Sequence, residues 1–160
     1  MMTASTVKRT NSSDKDFQIL ITHLDHELWN ELKEDQATYD QYNKVPDLDT
    51  VLIAYEGEQA VACGCFKVIA PGTIEIKRMF VEKEWRRIGL SKIILNALEQ
   101  WALEKGYQHA VLETSIHFTT ARRLYESSGY TIIPNYPPYE GLSKSVCMYK
   151  HLKASPSSGS

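Results

Sequence analysis

The stretch "MFVEKEWRRIGLSKIILNALEQWALEKGYQHAVLETS", residues 79–115, constrains this chain more than any other. The strand-like run "IEIKRMFVE" leads into it. After Gly89, the residues Leu90, Ile93, Ile94, Ala97, Leu98 and Trp101 recur at helical spacing and form one apolar stripe. Lys92, Asn96, Glu99 and Gln100 fall largely on the other side. Gly106 stops the helix, and "HAVLETS" reads as a second strand. Two strands joined by one long helix make a crossover, so these strands are expected to be parallel neighbours.

The elements before it read differently. "TVLIAYEGEQAVACGCFKVI" predicts a hairpin turning at Glu56, Gly57 and Glu58. "APGT" predicts a second turn, which makes "IEIKRMFVE" antiparallel to the strand before it. In "DFQILITHL", Phe17, Ile19 and Ile21 alternate with polar residues and predict a strand. Asp25 then caps a helix with Leu28 and Leu32 at helical spacing, and Pro46 ends whatever helix "QATYDQYNKVPD" holds. Downstream, Ala121, Leu124 and Tyr125 share a face of a short helix. "YTIIP" and "SVCMYKHL" predict late strands around the loop "NYPPYEGLSK". The class is α/β (α+β): a mixed, mostly antiparallel sheet with a central parallel strand pair and flanking helices.

At 160 residues, one domain is expected, over residues 16–152, with polar tails at 1–15 and 153–160. The net charge of -2 disfavours a general nucleic-acid binder. No apolar run is long enough to span a bilayer, and the polar N-terminus lacks the apolar core of a signal peptide. The expectation is a cytoplasmic protein without a membrane partner. Cys63, Cys65 and Cys147 are an odd number and do not suggest a disulfide framework. Cys63 and Cys65 share one face of a strand, where two small buried residues fit better than half a metal site.

Arg86, Arg87 and Gly89 stand at the start of the long helix. The backbone N–H groups there lack partners and the helix dipole is positive, which attracts phosphate. Glycine lets a ligand approach closely, and the arginines add charge-assisted hydrogen bonds.

"R-R-I-G-L-S", Arg86 to Ser91, resembles the Q/R-x-x-G-x-G/A signature of the GNAT superfamily of acyl-CoA-dependent N-acetyltransferases. "A-R-R-L-Y-E-S-S-G-Y", Ala121 to Tyr130, resembles that family's A-x-x-L-Y-x-x-x-G-F/Y segment. The resemblance covers roughly residues 16 to 152 and is strongest from Ile74 to Tyr130. It implies that acetyl-CoA lies between two splayed parallel strands, the one ending at Val81 and "HAVLETS". The pantetheine arm then pairs with backbone at Met79, Phe80 and Val81. The pyrophosphate rests on Arg87, Ile88, Gly89, Leu90, Ser91 and Lys92, with Arg86 beside it. Ser91 stands where the family has Gly or Ala. Phe118 stands where many members have an asparagine that contacts the cofactor.

Acetyl transfer needs a base for the amine, stabilisation of the carbonyl oxygen and an acid for the thiolate. The resemblance implies Glu75 as general base, directly or through water. It implies a backbone amide near Phe80 as oxyanion donor, and Tyr125 as general acid. Arg78 or Lys77, on opposite faces of their strand, could meet a substrate carboxylate. Tyr136 and Tyr139, with Asn135 and Glu140, could wall an acceptor pocket. His117 reads as structural, and no histidines have metal spacing. The expected activity is acetyl transfer from acetyl-CoA to a primary amine, without a metal. The acceptor is a small molecule or a protein amine. The alternative is an acyl-CoA-sensing module without turnover. Late strands of such folds often pair between subunits, which makes a homodimer a partner to test.

Overall fold

Asp14 decides the fate of residues 16–24. Its Oδ1 accepts from the backbone amides of Asp16 at 2.9 Å and Phe17 at 3.4 Å. That cap starts a helix, Lys15–Leu32 (α1), where alternation predicts a strand. Phe17, Leu20 and Leu24 also sit at helical spacing, and the core takes that option. Phe17 and Leu20 are buried while Ile19 is 54% exposed. Asp25, read as a helix cap, therefore lies inside α1.

The computed structural model describes residues 5–32 and 47–153. The side chain of Leu32, the stretch 36–46 with Pro46, and the tail beyond residue 153 lie outside the described residues. The described strands are Ser5–Thr10 (β1), Val51–Glu56 (β2), Gln59–Ala70 (β3), Thr73–Val81 (β4), His109–Ser115 (β5), Thr131–Ile133 (β6) and Ser145–His151 (β7). Two further α-helices are Leu90–Glu104 (α2) and Thr119–Ser127 (α3). The strands form one mixed sheet in the order β1-β2-β3-β4-β5-β7-β6. Among the described residues, no helix is long and apolar enough to cross a membrane.

The described residues fall into two compact units. One takes those up to Phe66 together with Lys77–Leu95; the other takes Lys67–Ile76 and those from Asn96 onward. In the first unit, β1 pairs antiparallel with β2, and β2 with β3. Residues 5–10 read as part of a polar tail, but their backbone completes the sheet edge. Phe17 and Leu20 of α1 join Val51, Ile53, Cys63, Cys65 and Phe80 in one core. Both cysteines are buried thiols, as the reading of two small core residues expects. The hairpin turns where expected, with Gly57 at φ 63°.

In the second unit, β4 and β5 run parallel, from Thr73 opposite His109 to Ile76 opposite Leu112. The predicted crossover is thus present. Each strand continues several residues beyond that register. β7 pairs antiparallel with β5 and with β6. α2 ends as predicted: Gly106 sits at φ 93°, and the Tyr107 amide donates back to the Ala102 carbonyl at 2.9 Å. One side of α2 differs from the sequence reading. Glu99, placed on the polar side, is buried, whereas Ile93 is exposed. Glu99 is kept inside by the Tyr130 hydroxyl and the Lys150 ammonium, both of which donate to it.

Candidate active site

The first unit carries the glycine-bearing helix start. The first backbone bond of this turn runs from the Ile93 amide to the Gly89 carbonyl at 3.1 Å. The amides of Leu90, Ser91 and Lys92 consequently have no acceptor within the helix. Arg87 at φ 69° and Gly89 at φ 89° both take the left-handed backbone. Curled backbone of this kind turns successive amides toward one concavity, which suits an anion. A Cβ added at Gly89 would meet no atom within 4 Å. Crowding within the chain therefore does not demand the glycine; its backbone angle does, and the space beside it is open to a ligand. Arg87, Ile88 and Lys92 are exposed, and Leu90 is buried. This loop fits a pyrophosphate through its amides and through Arg87.

Arg86 behaves differently from the expectation of an open phosphate ligand. Its Nε donates to the Val81 carbonyl at 2.9 Å, and one of its terminal nitrogens meets both oxygens of Glu27, at 2.8 and 2.7 Å. Its guanidinium also lies over the Phe80 ring, 5.7 Å from the centroid. The side chain thus ties the loop to β4 and α1, and it occupies the Val81 carbonyl. Phe80 and Val81 are buried, and Met79 is half-buried.

Arg78 interrupts β4 with φ 59°, an unusual angle for a residue with a side chain. Its guanidinium is buried and donates to Asp25 Oδ1 at 2.6 Å. A substrate carboxylate would have to compete with Asp25 there. Lys77 is also buried.

The second unit carries the carboxylate. Glu75 is only 3% exposed, so it is a buried group rather than a rim carboxylate. The Tyr136 hydroxyl donates to its Oε2 at 2.6 Å, and the Tyr139 hydroxyl bonds the same carboxylate. The two rings meet edge to face, 5.5 Å between centroids. Asn135 holds this loop in shape by donating to the carbonyls of Tyr139 and Leu142, at 3.2 and 3.1 Å. Burial first, and then the Glu75 charge, raise the Tyr136 phenol above its ordinary value, so it stays protonated. The sequence reading brings out Tyr136 and Tyr139 as pocket walls but not as partners of Glu75.

The sequence reading passed over Glu113 and gave Cys147 no role at the site. Glu75 lies opposite Val111, Glu113 is two positions further along β5, and Cys147 lies opposite Glu113. Strand alternation puts all three on one face. Ser145 Oγ donates to Glu113 at 2.7 Å. Burial pushes the Cys147 thiol up to about 11. A thiol held neutral is a poor nucleophile, which argues against an acyl-cysteine route here.

Tyr125 is buried on α3, edge to face with Tyr130 at 5.9 Å. Burial, then the Glu113 charge, raise its phenol well above the ordinary range. Such a phenol can donate a hydrogen bond and does not serve as a base. Phe118 is the N-cap of α3 and makes no side-chain capping bond. His117 is exposed. Among the described residues, no group of three or more His, Cys, Asp or Glu could hold a metal ion.

Comparison with known proteins matches residues 15–130 to the Acetyltransferase (GNAT) family. The chain is 34% identical over 101 residues to the uncharacterized N-acetyltransferase YsnE of Bacillus subtilis, covering 62% of this chain and 67% of that protein. The match to an uncharacterized N-acetyltransferase of Schizosaccharomyces pombe, at 30% identity, spans 54% of this chain and 55% of that protein. Among solved structures, a protein of Klebsiella pneumoniae assigned as an acyl-CoA N-acyltransferase superposes with a TM-score of 0.78 at 27% identity. That superposition covers 95% of this chain and all of the other.

Proposed function

The chain belongs to the Acetyltransferase (GNAT) family, and on that premise we propose that it transfers acetyl from acetyl-CoA to a primary amine by direct attack in a ternary complex. The observation that carries this reading is the buried Glu75 carboxylate, held by two phenols at the strand position implied for the base. The acceptor we infer is a small-molecule amine, and the catalytic domain we infer is the expected 16–152 extended by β1 and the start of α1. The setting we infer is cytoplasmic. Acetyl-CoA as co-substrate has support from a related fold: a Bacillus anthracis protein assigned as a streptothricin acetyltransferase was solved with acetyl coenzyme A. It is 25% identical to this chain with a TM-score of 0.57, and covers 72% of this chain and 68% of the other.

Bound acetyl-CoA supplies the thioester electrophile and a thiolate leaving group. The amides of Leu90, Ser91 and Lys92, with Arg87, hold the pyrophosphate. Backbone of β4 at Met79 and Phe80 receives the pantetheine arm, and Arg86 holds Val81 and the loop in place. Glu75 accepts a proton from the acceptor ammonium, directly or through water, which frees the lone pair for attack. A backbone amide near Phe80 donates to the carbonyl oxygen as charge builds there. Tyr125 stays protonated and donates a hydrogen bond to the departing sulfur. The nitrogen–carbon bond forms, the carbon–sulfur bond breaks, and the second proton, shed by the nitrogen as it becomes an amide, balances the one the thiolate takes up to become a thiol.

Thermal unfolding with CoA, acetyl-CoA, ATP and NAD in parallel tests the cofactor. A ligand that binds only the folded state raises Tm, by about 2.7 kcal/mol of stability at a hundred times Kd. Thiol release with a panel of primary amines then tests turnover. Glu75→Gln and Tyr125→Phe should each lower kcat at least about tenfold while the CoA-induced rise in Tm persists. A chain that ignores both CoA compounds at millimolar concentration is not this enzyme.

A further inference from the structure

The loop between β6 and β7 delivers two phenols to one buried carboxylate, and the family motifs do not require either. Tyr136 comes from 61 residues away in sequence to reach Glu75. The loop is built to hold it there. The Tyr139 amide bonds the Tyr136 carbonyl at 2.7 Å, the Leu142 amide bonds the Tyr139 carbonyl at 3.0 Å, and the Ser145 amide bonds the Leu142 carbonyl at 3.0 Å. Asn135 braces the same turns, and the tyrosine rings lock edge to face.

We propose that Tyr136, seconded by Tyr139, is a positioning residue that fixes the Glu75 carboxylate and keeps it hydrogen-bonded through both of its protonation states. This rests on the reading of Glu75 as the base. A buried carboxylate without donors is costly. A phenol suits this task better than a lysine. It donates to a carboxylate, and it can turn to accept from a carboxylic acid once Glu75 has taken the proton. A fixed cation would favour only the ionised form. The charged and titratable groups around Glu75 are Tyr136 and Tyr139 from the loop, Glu113 from β5 and Cys147 from β7. Lys77 follows two residues later on β4.

The test compares pH profiles of kcat/KM for the wild type, Tyr136→Phe and Tyr139→Phe, using acetyl-CoA and the fastest amine of the panel. Phenylalanine keeps the ring and removes only the hydroxyl. Loss of a donor to the ionised carboxylate should move the acid limb up by about half a pH unit or more. It should lower kcat about threefold to tenfold and leave KM for acetyl-CoA within about twofold. A merely structural role would lower Tm without moving the limb. An unmoved limb with kcat within about twofold of wild type in both variants overturns the proposal. A second readout does not depend on turnover. Urea midpoints at pH 7 for Tyr136→Phe, Glu75→Gln and the double variant form a cycle, and removing the hydroxyl should cost more with Glu75 present than with Gln. An identical cost in both backgrounds overturns the pairing. Failure of the enzyme reading looks different: no CoA response and no thiol release, whatever the phenol does.

Discussion

The Glu99 carboxylate of α2 accepts a hydrogen bond from the Tyr130 hydroxyl at 2.9 Å, and its other oxygen accepts from Lys150 Nζ at 2.7 Å. Lys150 also lies over the Tyr130 ring, 5.7 Å from its centroid. A carboxylate, a phenol and an ammonium thus satisfy one another in a mostly buried place. Glu99→Ala leaves both donors short of a partner and should cost about 2 kcal/mol. Glu99→Gln keeps an acceptor for Tyr130 and should cost less. Urea unfolding midpoints rank the two variants, and equal midpoints for Glu99→Ala and wild type would remove the network from the stability of α2.

Alkaline conditions should weaken the fold. Tyr125, Tyr130, Tyr136 and Tyr139 are all raised above the ordinary phenol value, in each case mainly by burial. A raised group binds its proton more tightly in the folded state. Its contribution to stability is complete below the unfolded phenol value, about 10, and falls away as pH rises through and above it. Urea midpoints measured from about pH 8 to pH 11 should stay level and then drop. Tyr130→Phe should flatten the drop.

Gly57 and Gly89 offer a matched pair. Both sit at positive φ, 63° and 89°, and an added Cβ meets nothing within 4 Å at either. Alanine at either position strains the backbone by a similar amount, about 1 kcal/mol. Only Gly89→Ala should also weaken CoA binding, by about tenfold or more, because its new methyl group fills the space left for phosphate. Calorimetric titration of CoA into both variants separates strain from ligand contact. Equal affinities would mean the helix start is not the phosphate site.

Arg87 carries the left-handed angle with a full side chain, at φ 69°. Glycine relieves that strain and alanine does not. Arg87→Gly should therefore be more stable than Arg87→Ala by about 1 kcal/mol. Both variants should bind CoA about tenfold more weakly than wild type through loss of a charge-assisted bond. Thermal unfolding with and without CoA reads both effects. A fully retained CoA response would assign the phosphate to the backbone alone.

Much of the architecture was legible because its signals are local. The α2 stripe, Gly89 before it and Gly106 after it lie within one short stretch, and helical periodicity needs only neighbours three and four residues apart. The hairpin turns at Gly57 and Gly72 follow the same logic, as do β5 and α3. The segment 16–24 was ambiguous because Phe17, Ile19 and Ile21 alternate while Phe17, Leu20 and Leu24 repeat helically. The Asp14 cap, three residues before Phe17, was the available signal for the helix. β1 left little trace, since an edge strand can be polar throughout and is held by backbone bonds to β2.

By itself, the sequence determined the crossover and the anion-suited helix start, because each depends on residue type and short spacing, whereas Glu75 and Tyr125 were singled out by resemblance to a family. Only the tertiary structure decided what these groups touch. Arg86 is tied to Val81 and Glu27 instead of standing open, Glu99 is inside rather than outside, and Glu75 receives Tyr136 from a distant loop. Hydrogen bonds between residues tens of positions apart form where the folded backbone returns to the same place. No local pattern of residues encodes that return.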